Sequence, residues 1–549
     1  MLNYLFWLFR IFIEKLIISC KIRPFFSEII EENIYTNYTN SNSENLTITF
    51  VLIYEPKQEY TQSTVDSIVF QTSQKWICLF DKRLHQIVES EKFIPFDLRD
   101  LNIYSKDFFS KISTSHIMYL RPGDRLSKCF IETLENHVCS DVLYFDLIIS
   151  SFGNKYFLKP EWSPELCLSI NILEKAVYRV EFLKQLNLFD HNELLSKVME
   201  CSKDVTHVQN SIIEVEESSW QNDILINQHI QSVSCIMKNW GINAIFHMRE
   251  NGSVSIKFSD IGTKISIIIP SRNNYKFISK SLGSLFTLTN YSNYEVIIVD
   301  NQSEKLDVVN LYSFYESRYE NFLVIKENLP FNFSRACNQG AAIATGDLLL
   351  FLNNDTEIID PDWLTNLAGV LQIPGVGAVG PKLLYPDGSV QHAGIVIGLE
   401  GHASHVFMGV KSDIYTPYGY VDWMRNVSAV TGACMMVRRD VFEQVGGFDE
   451  SLTLAFGDVD LCLRIIDAGY RIVYTPDVQL IHYEGKTRGK YIPKQDFLAK
   501  REYFREKIKK GDPYYNPNLS RAWRIPTIRQ PWEMDPVYRY DKIIEYKTR

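Results

Sequence analysis

The sequence predicts an α/β protein in which mostly parallel sheet is flanked by helices, and three observations predict it. Short apolar runs end abruptly in polar side chains: ISIIIP leads into Ser271, Arg272 and Asn273, EVIIV into Asp300 and Asn301, and LLLFL into Asn353, Asn354 and Asp355. Helical patterns separate these runs, which is the strand–helix–strand grammar of a parallel sheet. The runs also lack apolar–polar alternation, so both faces of each strand are covered.

The 549 residues, 46% of them hydrophobic, exceed what one core holds and point to two or three globular units. Lys and Arg number 57 against 66 Asp and Glu, a net charge of −9 with no basic block, which excludes a general nucleic-acid binder. The ten cysteines are scattered without a Cys-x-x-Cys pair and read as reduced core thiols. Sequons at Asn301, Asn332 and Asn354 fall within the candidate site, where glycosylation would be harmful, so the chain is expected to be cytoplasmic. No segment approaches the ~18 to 20 uninterrupted apolar residues of a membrane span.

Taken in order, residues 1–30 read as an amphipathic helix. Asn3, Arg10, Glu14 and Lys21 share one stripe and leave a broad face of Leu, Phe, Trp and Ile. That pattern suits either peripheral contact with the inner membrane face through residues 1–21 or docking on the protein itself. Residues 31–46 are a polar linker, 47–215 a first globular unit, 216–262 a connector, 263–511 a second unit and 512–549 a C-terminal tail. The connector has a helical pattern (Ile224, Ile226, Ile230, Val233, Ile236) followed by the strand-like INAIFHM and VSIKF. The second unit begins with strand ISIIIP, a helix around FISKSLGSLF, strand EVIIVD, a loop, a helix around SRACNQGAAIA, and strand LLLFL. Asp360-Pro361 then caps a helix bearing Trp363, Leu364, Leu367, Val370 and Leu371, and a later helix, Val459 to Ala468, is closed by Gly469.

In open parallel sheets the ligand crevice lies at the carboxyl ends of the strands. Pro270 to Asn273, Asp300 to Ser303 and Asn353 to Asp355 all sit at such ends, and Arg335 and Asn338 lie on the intervening helix. These side chains can bind a base, a ribose or a diphosphate, although one polar terminus alone is only a turn.

At this point the chain resembles the family 2 glycosyltransferases of GT-A fold, of the bacterial type that builds cell-surface polysaccharides such as O-antigen. The resemblance spans roughly Lys264 to Ser520 and rests on ISIIIPSRN, EVIIVDNQS, FNFSRACNQGAA, LLLFLNNDTEI, GPKLLYPDGSVQHAG, RNVSAVTGACMMVRR, GGFDE, DVDLCLR and IHYEG. It implies a nucleotide-sugar donor read by Asp300 and Asn301, with Pro270, Ser271, Arg272 and Asn273 as the wall beneath. Asp355 matches the last acid of the Asp-x-Asp metal motif, whose first position is here Asn353 with Asn354 between, and His482 matches a position near the metal in some relatives. A divalent cation, Mg²⁺ or Mn²⁺, suits oxygen ligands and diphosphate. The inverting base is implied at Asp458, which otherwise reads as a helix cap, with Asp460 in reserve. Thr431 to Cys434 would place small residues beside the donor sugar, and Trp423 suits either an acceptor ring or the core.

The first unit repeats the grammar with its chemistry removed: VLIYEPKQEYTQSTVDSIVFQTSQKWICLF parallels the segment from Ile267, and HIMYLRPGDRL parallels the metal-site strand. Arg121-Pro122-Gly123 stands where the second unit has Asn353-Asn354-Asp355, and His191 where the base would align, with Glu193 nearby. The implied layout is a structural or acceptor-holding copy followed by a catalytic one. The acceptor would be a glycan or lipid-linked glycan, and rhamnose is a donor sugar associated with this layout. The rivals are a sugar nucleotidyltransferase, disfavoured because Pro270 to Asn273 is no Gly-rich phosphate loop, and a non-catalytic carbohydrate-binding scaffold.

Overall fold

The computed structural model describes residues 46–548 except 55–59, 85–86, 88–89, 98–101, 151–154, 187, 189–191, 203, 217–221 and 484–491. The amphipathic segment 1–30, the linker up to residue 45, and His191 therefore lie outside the described residues.

The first sheet comprises β1 (Ile48–Leu52), β2 (Trp76–Asp81), β3 (Phe93–Phe96), β4 (His116–Leu120), β5 (Arg125–Leu126), β6 (Val142–Ser150), β7 (Lys155–Phe157), β8 (Val177–Arg179) and β9 (Val205–Glu216). Their order is β3-β2-β1-β4-β8-β6-β9-β5, with β7 on β6. The connector folds as a helix, Asp223–Asn239, and an antiparallel hairpin of β10 (Ala244–Met248) and β11 (Val254–Phe258).

The second sheet comprises β12 (Ile265–Ser271), β13 (Tyr294–Asp300), β14 (Phe322–Lys326), β15 (Leu348–Leu352), β16 (Thr356–Ile358), β17 (Val376–Leu384) and β18 (Val390–His392). After the hairpins β19 (Ile395–Ile397) with β20 (Ala403–His405) and β21 (Tyr415–Thr416) with β22 (Gly419–Tyr420) come β23 (Arg425–Asn426), β24 (Cys434–Arg438) and β25 (Arg471–His482). The order is β14-β13-β12-β15-β24-β17-β25-β16, with β18 on β17 and β23 on β25. Each position of this order has its counterpart in the first sheet, and the directions agree. β14 to β15 and β3 to β4 are parallel, β24 and β8 are antiparallel to their neighbours, and the last long pairs, β17–β25 and β6–β9, are parallel again. The chain is thus a tandem of two similar α/β sheets.

Every residue of β12 and β15 is buried, as the unbroken apolar runs require, because helices cover both faces of the sheet. Helix Tyr275–Leu288 follows β12 and buries Ile278, Leu282 and Leu285, an i, i+4, i+7 stripe. Helix Phe333–Ile343 starts at Asn332, whose side chain accepts from the Arg335 N–H at 3.0 Å. It lies close to the sheet because it carries Gly340: a Cβ there would meet Ile268 Cγ2 at 2.3 Å.

Three local expectations change. The loop read between Asn301 and the helix near Arg335 contains helix Leu306–Arg318 and strand β14. Only Val308, Tyr312 and Tyr315 of that helix are buried, so its apolar stripe is thin and aromatic. The helix after Pro361 starts at Trp363 and ends at Val370, with Asp360 Oδ1 accepting from the Asp362 N–H in the preceding turn. Among the nine described cysteines, all free, Cys139 and Cys201 are exposed rather than core.

The two units and the last 37 described residues are bolted together. Glu165, 1% exposed, receives Arg471 Nη2 at 2.7 Å and Asn426 Nδ2 at 2.6 Å. Asn516 donates to both oxygens of Asp146, each at 3.1 Å, and to the Lys159 carbonyl at 2.8 Å. The connector joins both sides: Asn239 Nδ2 donates to Ser196 Oγ at 3.0 Å in the first unit, while in the second Ser255 and Arg249 hold Asp477 and the Phe258 N–H donates to Asn366 Oδ1 at 3.1 Å. The tail is therefore part of the body, and among the described residues no helix is long and apolar enough to cross a membrane.

Candidate active site

A cavity of about 520 Å³ opens beside the ends of β15 and β25, walled by Asn353, Asp355, Gln391, Gly432, Asp458 and His482 among others. β15 stops at Leu352, where the Asn353 N–H turns to the Ala433 carbonyl at 2.9 Å, and the chain doubles back into β16. The β16–β25 register sets Thr356 opposite His482. His482 Nε2 thereby lies 3.3 Å from Asp355 Oδ1 and 3.4 Å from Asn353 Nδ2, and its Nδ1 lies 3.3 Å from Gln391 Oε1. One carboxylate, one amide and one imidazole thus converge on the cavity. Such oxygen and nitrogen donors fit Mg²⁺ or Mn²⁺ with positions left for phosphate and water. Among the described residues no group of three or more His, Cys, Asp or Glu could close a site unaided.

Asp458 stands on the cavity wall at the start of helix Gly457–Asp467. It does not serve as the helix cap that its position suggested: the N-cap is Phe456, with φ +65°, and no side-chain cap bond is formed. Asp458 Oδ2 instead accepts from the Gly432 N–H at 2.9 Å, which ties the helix to the Thr431–Cys434 turn. Burial raises its pKa above the ordinary aspartate value, against the lowering effect of the Gly432 and Val459 N–H groups. The left-handed backbone of Phe456 is costly for a bulky residue, and its ring is held against Phe497, Phe504 and His402. Asp460 is removed from candidacy as a base. It is fully buried and bound by Arg464 Nε at 2.8 Å and Lys500 Nζ at 2.6 Å.

Asp300 does not line the cavity. It sits beside Ser271 in the β12–β13 register. Ser271 Oγ receives Tyr312 O–H at 2.9 Å and Asn354 Nδ2 at 3.0 Å, so Asn354, between the cavity residues Asn353 and Asp355, ties the strand ends into a shelf. Asp300 Oδ1 is buried without a hydrogen-bond partner, while Oδ2 accepts from the Ser303 N–H at 3.4 Å. Pro270 is buried and Arg272 exposed at the strand tip. Asn273 shapes the shelf, with φ +51° and its side chain accepting from the Glu304 and Lys305 N–H groups.

Three predicted contacts are spent elsewhere. Asn301 is buried and donates to the Glu327 and Leu329 carbonyls. Arg335 pairs with Glu327 at 3.0 Å, and Asn338 holds the backbone of Phe448. Trp423 is core, fully buried with its ring 5.2 Å from Phe157 of the first unit. Thr431, Gly432 and Ala433 do line the cavity.

Sequence reasoning assigned no role to four cavity residues: Gln391, His402, His405 and Arg524. Gln391 lies within the quoted GSVQHAG, yet nothing in a linear pattern orients it. Next to it His392 Nδ1 lies 2.8 Å from His405 Nδ1, and burial, with His405 and His482 near, pushes the pKa of His392 well down. Arg524 enters from the supposed tail, with its Nε held by Glu400 Oε2 at 2.6 Å.

At the same place in the first unit, β5 begins at Arg125 as β16 begins at Thr356, so Asp124 stands immediately before its strand as Asp355 does. Gly123 lies one residue earlier, with φ +102°. Asp124 meets Lys175 Nζ at 2.7 Å with both side chains fully buried, and Arg121 pairs with Glu174. The adjoining space is about 30 Å³, room for one water. Lysine and arginine thus occupy this strand end from within.

The model of the family described as Glycosyl transferase family 2 matches residues 266–446. The O-antigen biosynthesis protein RfbC of Myxococcus xanthus is 35% identical over 384 residues, covering 66% of this chain and 30% of that protein. The dTDP-rhamnosyl transferase RfbF of Shigella flexneri is 24% identical over 212 residues, 38% of this chain and 65% of its own. The mannosyltransferase PcManGT of Pyrobaculum calidifontis, solved with GDP-Man and Mn²⁺, aligns at 18% identity with a TM-score of 0.34, covering 51% of this chain and 72% of that one. The chain spans under a third of the length of the curated relatives it matches first, 30% and 29%. The match runs from β12 to just beyond β24, and it identifies the second α/β unit as a glycosyl transferase family 2 domain.

Proposed function

We propose that this protein is an inverting glycosyltransferase of cell-surface polysaccharide synthesis, moving a sugar from a nucleotide-diphosphate donor to a glycan or lipid-linked glycan acceptor. One observation carries the reading: a single cavity is lined by both Asp458 and the Asp355–His482 pair. Asp458 takes the proton of the acceptor hydroxyl. The oxygen forms its bond to the anomeric carbon as the bond to the diphosphate breaks, and the nucleoside diphosphate leaves with the electron pair. Asp355 and His482, with the amide oxygen of Asn353, would hold a divalent cation, which would supply positive charge to the departing diphosphate. Asp300, at the end of β13 beside Ser271, reads the base or ribose of the donor. The first unit supports the second without catalysis, because its own strand end is filled by Lys175 and Arg121. Rhamnose is the donor sugar we favour, since two relatives carry that sugar in their names.

Incubating the full chain with a panel of labelled nucleotide sugars and Mn²⁺ tests this. Metal-dependent transfer or hydrolysis of one donor supports it, and no turnover of any sugar nucleotide would sink it. Formation of a sugar nucleotide from a sugar phosphate would favour the nucleotidyltransferase instead.

A further inference from the structure

We infer that Gln391 is a positioning residue for the cation site, setting the ring orientation and tautomer of His482. The inference rests on the cation reading above. Its first support is backbone geometry. β17 and β18 pair Leu383 with His392 but Leu384 with Val390, so the ladder steps over Gln391, which is the extra residue of a β-bulge. Bulges occur beside active sites because they re-aim one side chain out of the strict alternation of a strand.

The second support is the hydrogen-bond direction. Gln391 Oε1 faces His482 Nδ1 at 3.3 Å, and an amide oxygen only accepts, so a hydrogen bond between them places the imidazole proton on Nδ1. The lone pair is then left on Nε2, the atom that faces Asp355 Oδ1 and Asn353. A ligating histidine needs this arrangement: one ring nitrogen donates to a fixed partner, and the other is free to bind a cation. Burial makes the contact count. Gln391 is 1% exposed and His482 4%, so bulk water is a poor substitute for the amide.

Mn²⁺ binding to the full-length protein, read by electron paramagnetic resonance titration without any sugar substrate, tests the assignment. Gln391→Met keeps the length of the side chain and removes the acceptor, and should weaken Mn²⁺ binding roughly 10- to 100-fold. Gln391→Glu restores an acceptor and should stay within about threefold of wild type, a rescue that packing alone does not predict. Should the Met variant not fold, Gln391→Asn, which withdraws the oxygen by one methylene, takes its place with the same loss expected. Wild-type affinity in Gln391→Met, or equal loss in Gln391→Met and Gln391→Glu, overturns the role of Gln391 alone. Failure of the wild-type chain to bind Mn²⁺, or unchanged binding in Asp355→Asn, overturns the cation site and this inference with it.

Discussion

Asp458 and Asp460 lie two residues apart on one helix, and their surroundings give them opposite work. Asp458 faces a cavity with its carboxylate held by one backbone donor of a neighbouring turn, whereas Asp460 is sealed between Arg464 and Lys500. Asp458→Asn should abolish transfer while donor affinity, read by equilibrium dialysis of the nucleotide sugar, changes less than about threefold, because the amide keeps the shape and loses only the basic oxygen. Asp460→Ala should act on stability instead. It leaves two cations facing an empty site and should cost about 3 kcal/mol in chemical denaturation. The raised pKa of Asp458 also has a sign that activity can report. Below that pKa the carboxyl is protonated and cannot accept the hydroxyl proton, so kcat/KM should fall on its acid side at a pH above the ordinary aspartate range. The acids themselves were legible in the sequence. Which of the two faced a cavity was not, since both sit in the first helical turn and only the packing of Lys500 and Gly432 separates them.

Among the elements, the strand ends matter more than the strands. β12, β13 and β15 were readable because a strand buried on both faces must be apolar throughout, and each stops where polar side chains begin. Helix Leu306–Arg318 and β14 escaped notice because their buried residues are few and partly aromatic. Helix Phe333–Ile343 shows how element packing reaches the site: it presses on Ile268 in β12, three residues before Ser271, through Gly340. Gly340→Ala should push helix and strand apart and destabilise the protein by about 1–3 kcal/mol, read as a lower denaturation midpoint. Donor affinity should fall with it, because the shelf around Ser271 and Asp300 moves. The bulge at Gln391 belongs to this scale too, since no sequence period marks where a ladder skips a residue.

At the level of the whole molecule, two sheets of the same order are held as one body by Glu165–Arg471, Asp146–Asn516 and the connector hairpin. Arg471→Ala strands a carboxylate that is 1% exposed, and thermal denaturation should show a loss of about 2–4 kcal/mol, with the first unit loosening from the second. Composition, apolar runs and ordered motifs were enough to identify the α/β class, the tandem and the family, because those depend on which residues follow one another. They also singled out the acids at 300, 355 and 458, of which the fold brings 355 and 458 to one cavity and leaves 300 outside it. Other features depended on which residues meet across the sheet: that Asp124 pairs with a buried lysine, that Lys175 fills the first copy, that Arg335, Asn338 and Asn301 brace loops, and that Arg524 reaches the cavity from the far end of the chain. The physical reason is that strand register, bulges and buried ion pairs are set by contacts between residues up to hundreds of positions apart, and linear order carries no record of those distances.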